Sequence, residues 1–382
     1  MALLPRSAGR FKFGRPALRA LGIAGIGALA DGLTLSGFSA ADFAVRLREP
    51  LARGVGFLFL ALARVGRLRA WPGHLDDLSR LLPVSDFLPI ALRSPHRFRG
   101  KSVRFTVGDI PAEFKPGTEG RVMFDYDHFN PVCSPNTVIA PFVLHPHYYA
   151  SGLYRSLAGF RQPQRTIRIF FAGTANPESY SRSFPTDLFR MMNRSEVLAA
   201  VQEDFAGEVL VVRSREELPQ IERSGRPIVL VLTDRIEDNL KKHLLEPREY
   251  LRLLGGSAFA LCPPGWVIPH CHNLIEALAV GTVPILGYAE HCHPSLTGGS
   301  NCLTFNDREE LRSAVRKALS MSESAAAQMR TEAATHYDSA VAVDAFAGRL
   351  AQALKNGGDV RVRFAYGEES VRLRTQAFNE LS

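Results

Sequence analysis

Between Ser257 and Tyr288 the chain reads SAFALCPPGWVIPHCHNLIEALAVGTVPILGY, and the residues able to do chemistry fall at the junctions of its elements. An apolar run at 258–261 is stopped by Pro263, Pro264 and Gly265. Asn273 is placed to cap a short helix carrying Glu276, and Gly281 ends that helix before a second apolar run at 283–286. In a parallel sheet such a loop and helix start lie at the carboxyl edge of a strand. Backbone N–H groups and the helix dipole there favour an anion such as a diphosphate. Glu276 then sits about 4–5 Å along the axis from the cap, where a carboxylate can accept hydrogen bonds from a ribose diol. Asn273-x-x-Glu276 also has the spacing of a plain capping box.

The elements that must position these residues alternate regularly. Strands are expected at 167–172, 209–213, 228–233, 258–262, 283–286 and 302–305, with helices at 194–205, 216–223, 247–254, 273–280 and 308–321. Short apolar strands spaced by helices imply an α/β fold with a doubly wound parallel sheet covered on both faces. Pro247 stands where a first-turn proline belongs, and Gly255-Gly256 follow that helix. Upstream, residues 1–100 read as a basic helical N-terminal region, with helical spacing across 43–68. Strands at 103–107, 122–126 and 137–140 place 101–163 in a small α/β N-terminal domain. The C-terminal domain then covers 164–355, and 356–382 forms a charged tail.

Four groups of residues, Cys262-Pro263-Pro264-Gly265, the histidine-containing loop, Glu276-Ala277-Leu278-Ala279 and Gly281-Thr282-Val283-Pro284, carry a resemblance. Over about half the chain, 165–354, it resembles the donor-binding domain of GT-B glycosyltransferases, most closely the exostosin-like group (glycosyltransferase family 47). The resemblance implies a GT-B-like fold of two Rossmann-like domains, the C-terminal one the clearer, and the N-terminal one receiving the acceptor. It also implies that Glu276 contacts a nucleotide-sugar. Retaining GT-B enzymes of the glycogen-synthase type carry a further Glu eight positions earlier, where this chain has Ile268. In this fold Gly173, ending the run Phe170-Phe171-Ala172, lets backbone approach the donor phosphates. Arg182 and Arg194 match basic residues that pair with the diphosphate, a task suited to the guanidinium fork. The implied donor site is therefore Gly173, Arg182, Arg194, Gly265, His272, Asn273 and Glu276.

Two triplets, His270-Cys271-His272 and His291-Cys292-His293, mix zinc-type ligands, but their spacing matches no standard zinc module. No metal is assigned. They read either as loop donors to the sugar or phosphates or as loop histidines without a ligand. A base for the acceptor hydroxyl is sought in the N-terminal half among Asp125, Asp127, His128, His145 and His147, with Asp127 first and His145 second. Turn-capping by Asp127 and simple packing of His145 are the competing readings.

The composition, 46% hydrophobic and 22% charged over 382 residues, is that of an ordinary globular protein of about two domains. Charge is uneven. Residues 1–100 hold 15 Lys and Arg against 6 Asp and Glu, whereas the rest hold 31 against 32, so the net +8 comes from the first hundred residues. No nucleic-acid module is present, and peripheral contact with an anionic membrane is the better reading of that arm. The five cysteines are too scattered for a disulfide framework, which fits a reducing cytoplasm, at the inner face of the membrane if the arm binds there. Neither 17–37, broken by Arg19 and Asp31, nor 54–65 is a clean span of about 30 Å of hydrocarbon.

The expected activity is metal-independent transfer of sugar from a nucleotide-sugar to a bacterial cell-surface glycan or glycolipid, with no cofactor beyond that co-substrate. The rivals are a nucleotide-sugar epimerase-like enzyme and a non-catalytic, membrane-surface carbohydrate-binding protein.

Overall fold

The computed structural model describes residues 43–46, 53–66, 68–70, 91–92, 105–108, 120–176, 180, 184–233 and 244–381. The chain divides into two compact units, Met1–Phe124 with Leu350–Val360, and Asp125–Arg349 with Arg361–Ser382.

In the first unit five strands are parallel: β1 (Phe43–Arg46), β2 (Leu68–Ala70), β3 (Ala91–Leu92), β4 (Phe105–Gly108) and β5 (Gly120–Asp125). Their order, β3-β2-β1-β4-β5, is the order of a Rossmann sheet. The helical stripe expected across 43–68 is divided. Phe43 and Val45 alternate with Ala44 and Arg46, a two-residue period that suits β1 between β2 and β4, and among the described residues of this stretch the helix is Arg53–Val65. Phe57 to Leu62 and Val65 are buried, as a helix crossing between parallel strands requires.

The second unit holds a six-stranded parallel sheet, the clearer of the two, as expected. Its strands are β7 (Ile167–Thr174), β8 (Val209–Val212), β9 (Ile228–Thr233), β10 (Ser257–Leu261), β11 (Val283–Leu286) and β12 (Leu303–Thr304), in the order β12-β11-β10-β7-β9-β8. Period-two alternation sends Ile169, Phe171, Leu230, Phe259 and Ile285 to one face. There they pack on Val197 and Val201 of the Arg194–Asp204 helix and on Leu311 and Val315 of the Arg308–Ser320 helix. Phe170 faces the other way, toward Tyr250 of the Pro247–Gly255 helix. Both faces are covered, which explains why the strands read as unbroken apolar runs.

The same unit contains β6 (Thr137–Ile139), paired in parallel with Arg361–Arg363 of β13 (Val360–Arg363). The terminal residues are thus folded structure, a strand followed by the Gly367–Leu381 helix. Arg363 is buried against Asp125, its Nε donating to Oδ2 at 3.0 Å, and Ser370 Oγ donates to the Tyr126 carbonyl at 2.7 Å. No helix among the described residues is long and apolar enough to cross a membrane.

Candidate functional site

From β7 the chain passes to β8 and β9 on one side, then returns to β10 and continues outward on the other. β7 and β10 are hydrogen-bonded neighbours, with Ala260 opposite Phe170, so their carboxyl ends flank the point where the winding reverses. Doubly wound sheets hold ligands at such a point, because the loops there diverge and leave a crevice.

Arg194 ties this edge together. Asn193 and Glu196 form a reciprocal capping box that starts the helix at Arg194. The Arg194 side chain is buried, 4% exposed. Nε donates to the Pro264 carbonyl (3.0 Å), Nη1 to the Thr174 carbonyl (3.4 Å) and Nη2 to Cys271 Sγ (2.9 Å), while the Tyr180 ring lies 4.1 Å from the guanidinium. One cation therefore joins the loop after β7, the loop after β10 and the residue before the next helix. These partners are carbonyls, a thiol and an aromatic face.

Gly265 shapes the loop after β10. A side chain there would bring its Cβ to 2.4 Å from the His270 carbonyl oxygen and 2.8 Å from that of Ile268, so only glycine permits this closure. Its N–H donates to the Pro269 carbonyl at 3.1 Å. The following helix spans His272–Ala279 and Cys271, not Asn273, occupies its cap position. Asn273 instead donates through Nδ2 to the Ala172 carbonyl (2.9 Å), beside Gly173 on β7, and its Oδ1 accepts from Cys271 Sγ (2.9 Å).

Glu276 lies beneath this layer, 6% exposed. Burial raises its pKa to about 7, although the Tyr250 hydroxyl and the His145 backbone N–H both donate to it and pull the other way. Desolvation wins because a carboxylate in a buried site loses more hydration than two neutral donors return.

The sequence-derived residues thus fall into two layers. Gly173, His272 and Asn273 are partly exposed, whereas Arg194, Gly265 and Glu276 are buried behind them. Arg182 lies outside the described residues. His145 adjoins this group, its ring 5.4 Å from that of His272, whose Nδ1 donates to the Val143 carbonyl at 2.7 Å. Asp127 sits in a turn after β5: its N–H donates to Asp125 Oδ1 at 2.9 Å, and its carboxylate accepts from Asn130 Nδ2 at 2.7 Å.

The two His-Cys-His triplets, 21 residues apart in sequence, meet around His128. Its ring is edge-on to His270 at 4.9 Å and to His293 at 4.8 Å, with Phe129 5.5 Å from His291. His270 Nε2 donates to the His291 carbonyl (2.8 Å), which leaves Nδ1 buried without a partner among the described residues. Burial holds His270 at about 3 and His291 at about 4, and lowers His128 and His293 as well, so all four rings are neutral near pH 7. Among the described residues no group of three or more His, Cys, Asp or Glu side chains is arranged to hold a metal ion. Tyr250, whose hydroxyl meets both Asn273 and Glu276, is a residue of this edge for which the sequence carried no signal.

No known family profile matches the chain, and no curated protein does. Solved structures similar to it include Anabaena Alr3699/HepE in complex with UDP, at 10% identity over 82% of this chain and 100% of that one, with a TM-score of 0.43. Trehalose-6-phosphate from E. coli bound with UDP-2-fluoro glucose gives 12% identity, 82% and 98% coverage, and a TM-score of 0.41. The N-terminal domain of Candida albicans trehalose-6-phosphate phosphatase gives 11%, 85% and 97%, and 0.44. Similarity at these scores supports no assignment by itself.

Proposed function

We propose that the chain is a nucleotide-sugar-dependent glycosyltransferase of the GT-B class, acting on a glycan or glycolipid acceptor. The observation that carries this reading is the reversal point between β7 and β10, where a buried guanidinium, a glycine-closed loop and a helix start converge. That arrangement suits an anionic leaving group. Oriented N–H groups, on loops that Arg194 holds in place, stabilise the diphosphate as its bond to the sugar breaks, and they do so best where water is excluded.

In this proposal the partly exposed Gly173, His272 and Asn273, together with Arg182, contact the donor. Arg194, Gly265 and Glu276 hold the contacting loops in place. A base removes the acceptor's proton, and His145 and Asp127 are its two candidates, His145 favoured by its contact with His272. The reaction runs without a metal ion. The exostosin-like assignment rests on the sequence motif alone. Contact of the basic arm with anionic membrane rests on the charge excess of residues 1–100, and vesicle flotation at rising salt tests it.

A thermal-shift panel of nucleoside diphosphates and nucleotide-sugars tests donor binding. A ligand at one hundred times its dissociation constant adds about 2.7 kcal/mol of stability, which raises the melting temperature visibly. A flat response across the panel overturns the proposal.

A further inference from the structure

We infer that Glu276 is a positioning residue that acts on the reaction through His145, whose backbone it holds, and not by touching the donor. This rests on the glycosyltransferase reading and on His145 serving the chemical step.

The segment before the Pro146–Ala150 helix lies against the start of the His272–Ala279 helix and is fixed at four successive residues. The Phe142 ring stacks on His270 at 5.3 Å and meets His272 at 5.1 Å. The Val143 carbonyl accepts from His272 Nδ1 at 2.7 Å, the Leu144 N–H donates to the Tyr149 hydroxyl at 3.2 Å, and the His145 N–H donates to the Glu276 carboxylate. His272 and Glu276 are four positions apart, on one face of their helix and about 6 Å along its axis. Val143 and His145 are two positions apart, at most about 7 Å of extended chain. The two spacings match, so one helix face grips both ends of the 143–145 backbone.

Glu276 is the more deeply set of the two grips. It is 6% exposed, and the Tyr250 hydroxyl also donates to it. That hydroxyl is bonded by Asn273 Nδ2 at 3.4 Å, and the same nitrogen donates to the Ala172 carbonyl of β7 at 2.9 Å. The hold on His145 is therefore anchored in the sheet. A carboxylate buried with two protein donors is not presented to a ribose diol. What it controls is where His145 stands, with its ring 5.4 Å from that of His272, the partly exposed first residue of the helix. A reacting group misplaced by about 1 Å loses on the order of 100-fold in rate.

The test uses the full chain and the nucleotide-sugar that it turns over, with turnover at saturating donor read by nucleotide release and donor affinity by calorimetry. Glu276→Ala is expected to lower turnover about 10- to 100-fold with donor affinity unchanged. Glu276→Gln, whose amide oxygen accepts from the same two donors, is expected to recover most of that loss, and circular dichroism confirms that each variant is folded. In a His145→Ala background Glu276→Ala is expected to add little further loss, because residues that act as one unit are not additive, whereas an unrelated structural effect multiplies. Should Glu276→Ala fail to fold, Glu276→Asp, its carboxylate about 1.5 Å short, is read in the same way. Weaker donor binding in the folded variant, with turnover at saturation intact, makes Glu276 a donor ligand; it overturns this inference and leaves the function proposed above standing. Wild-type turnover in Glu276→Ala, losses that multiply with His145→Ala, or full activity of His145→Ala alone also overturn it. Absence of turnover of every donor by the wild type overturns both readings.

Discussion

Replacing Glu276 with Gln should change the pH dependence of stability in a direction fixed by its surroundings. Burial raises the Glu276 pKa from 4.5 to about 7, so between those values the folded chain holds a proton that the unfolded chain releases. The stability contributed by this group is complete below pH 4.5, declines as pH rises, and levels off above 7. The total loss is the shift of roughly 2.5 units at about 1.4 kcal/mol each, or about 3 kcal/mol. Gln cannot ionise, yet its amide oxygen can accept from the Tyr250 hydroxyl and the His145 N–H as the protonated acid does. Any cost of fitting the new NH₂ group is constant with pH. Part of this loss has already occurred at pH 5, so the variant should gain on the wild type by about 2.5 kcal/mol between pH 5 and 8, whatever their difference at pH 5. Urea unfolding followed by Trp266 fluorescence in a Trp71→Phe background reads this as a relative midpoint shift on the order of 1 M. A difference that stays constant over that range would mean that the carboxyl titrates normally, and the reasoning from its burial would fail.

Other outcomes follow from the same contacts. His128, His270, His291 and His293 have lowered folded pKa values, so their contribution is complete above pH 6.5 and is lost as pH falls toward about 4 for His291 and about 3 for His270. Four such groups outweigh the opposite trend of Glu276. The melting temperature should fall below pH 6, less steeply in His128→Phe, and an unchanged acid limb would contradict a neutral buried cluster. Arg194→Lys should cost about 1–3 kcal/mol, because one ammonium cannot reach Thr174, Pro264 and Cys271 together, and should weaken nucleoside diphosphate binding at least tenfold by calorimetry. Wild-type affinity and stability would remove Arg194 from the account. His145→Ala and Asp127→Asn test the base. The true base, when replaced, lowers turnover by about 10²–10⁴-fold with donor affinity nearly unchanged, and full activity in both variants excludes the pair.

The second unit's sheet was legible because its strands are buried on both faces and so appear as apolar runs such as IFFA and IVLVLT, bounded by glycine, proline and helix caps. The β-strand at 43–46 was hidden inside a stretch whose helical spacing belongs mostly to the Arg53–Val65 helix. The Glu323–His336 helix gave no stripe, since its buried positions Ala326 and Ala333 are filled by the residue type that also fills its exposed ones. VRVR at 360–363 alternates as a strand should, but its parallel partner β6 is more than two hundred residues away in sequence. At the site, loop positions at strand ends could be read from proline and glycine. The exchange of roles could not. Asn273 bonds β7 instead of capping its helix, Glu276 is buried under Tyr250, and the triplets meet at His128, all through contacts between segments distant in sequence.

Release of free nucleotide from a panel of nucleotide-sugars, followed by chromatography with and without glycan or glycolipid acceptors, tests the central claim most directly. The account predicts that at least one donor yields its nucleoside diphosphate, faster with an acceptor present, and that Arg194→Lys slows this release. Failure of the folded protein to turn over any donor in the panel, under conditions where the same donors leave its melting temperature unchanged, would contradict it.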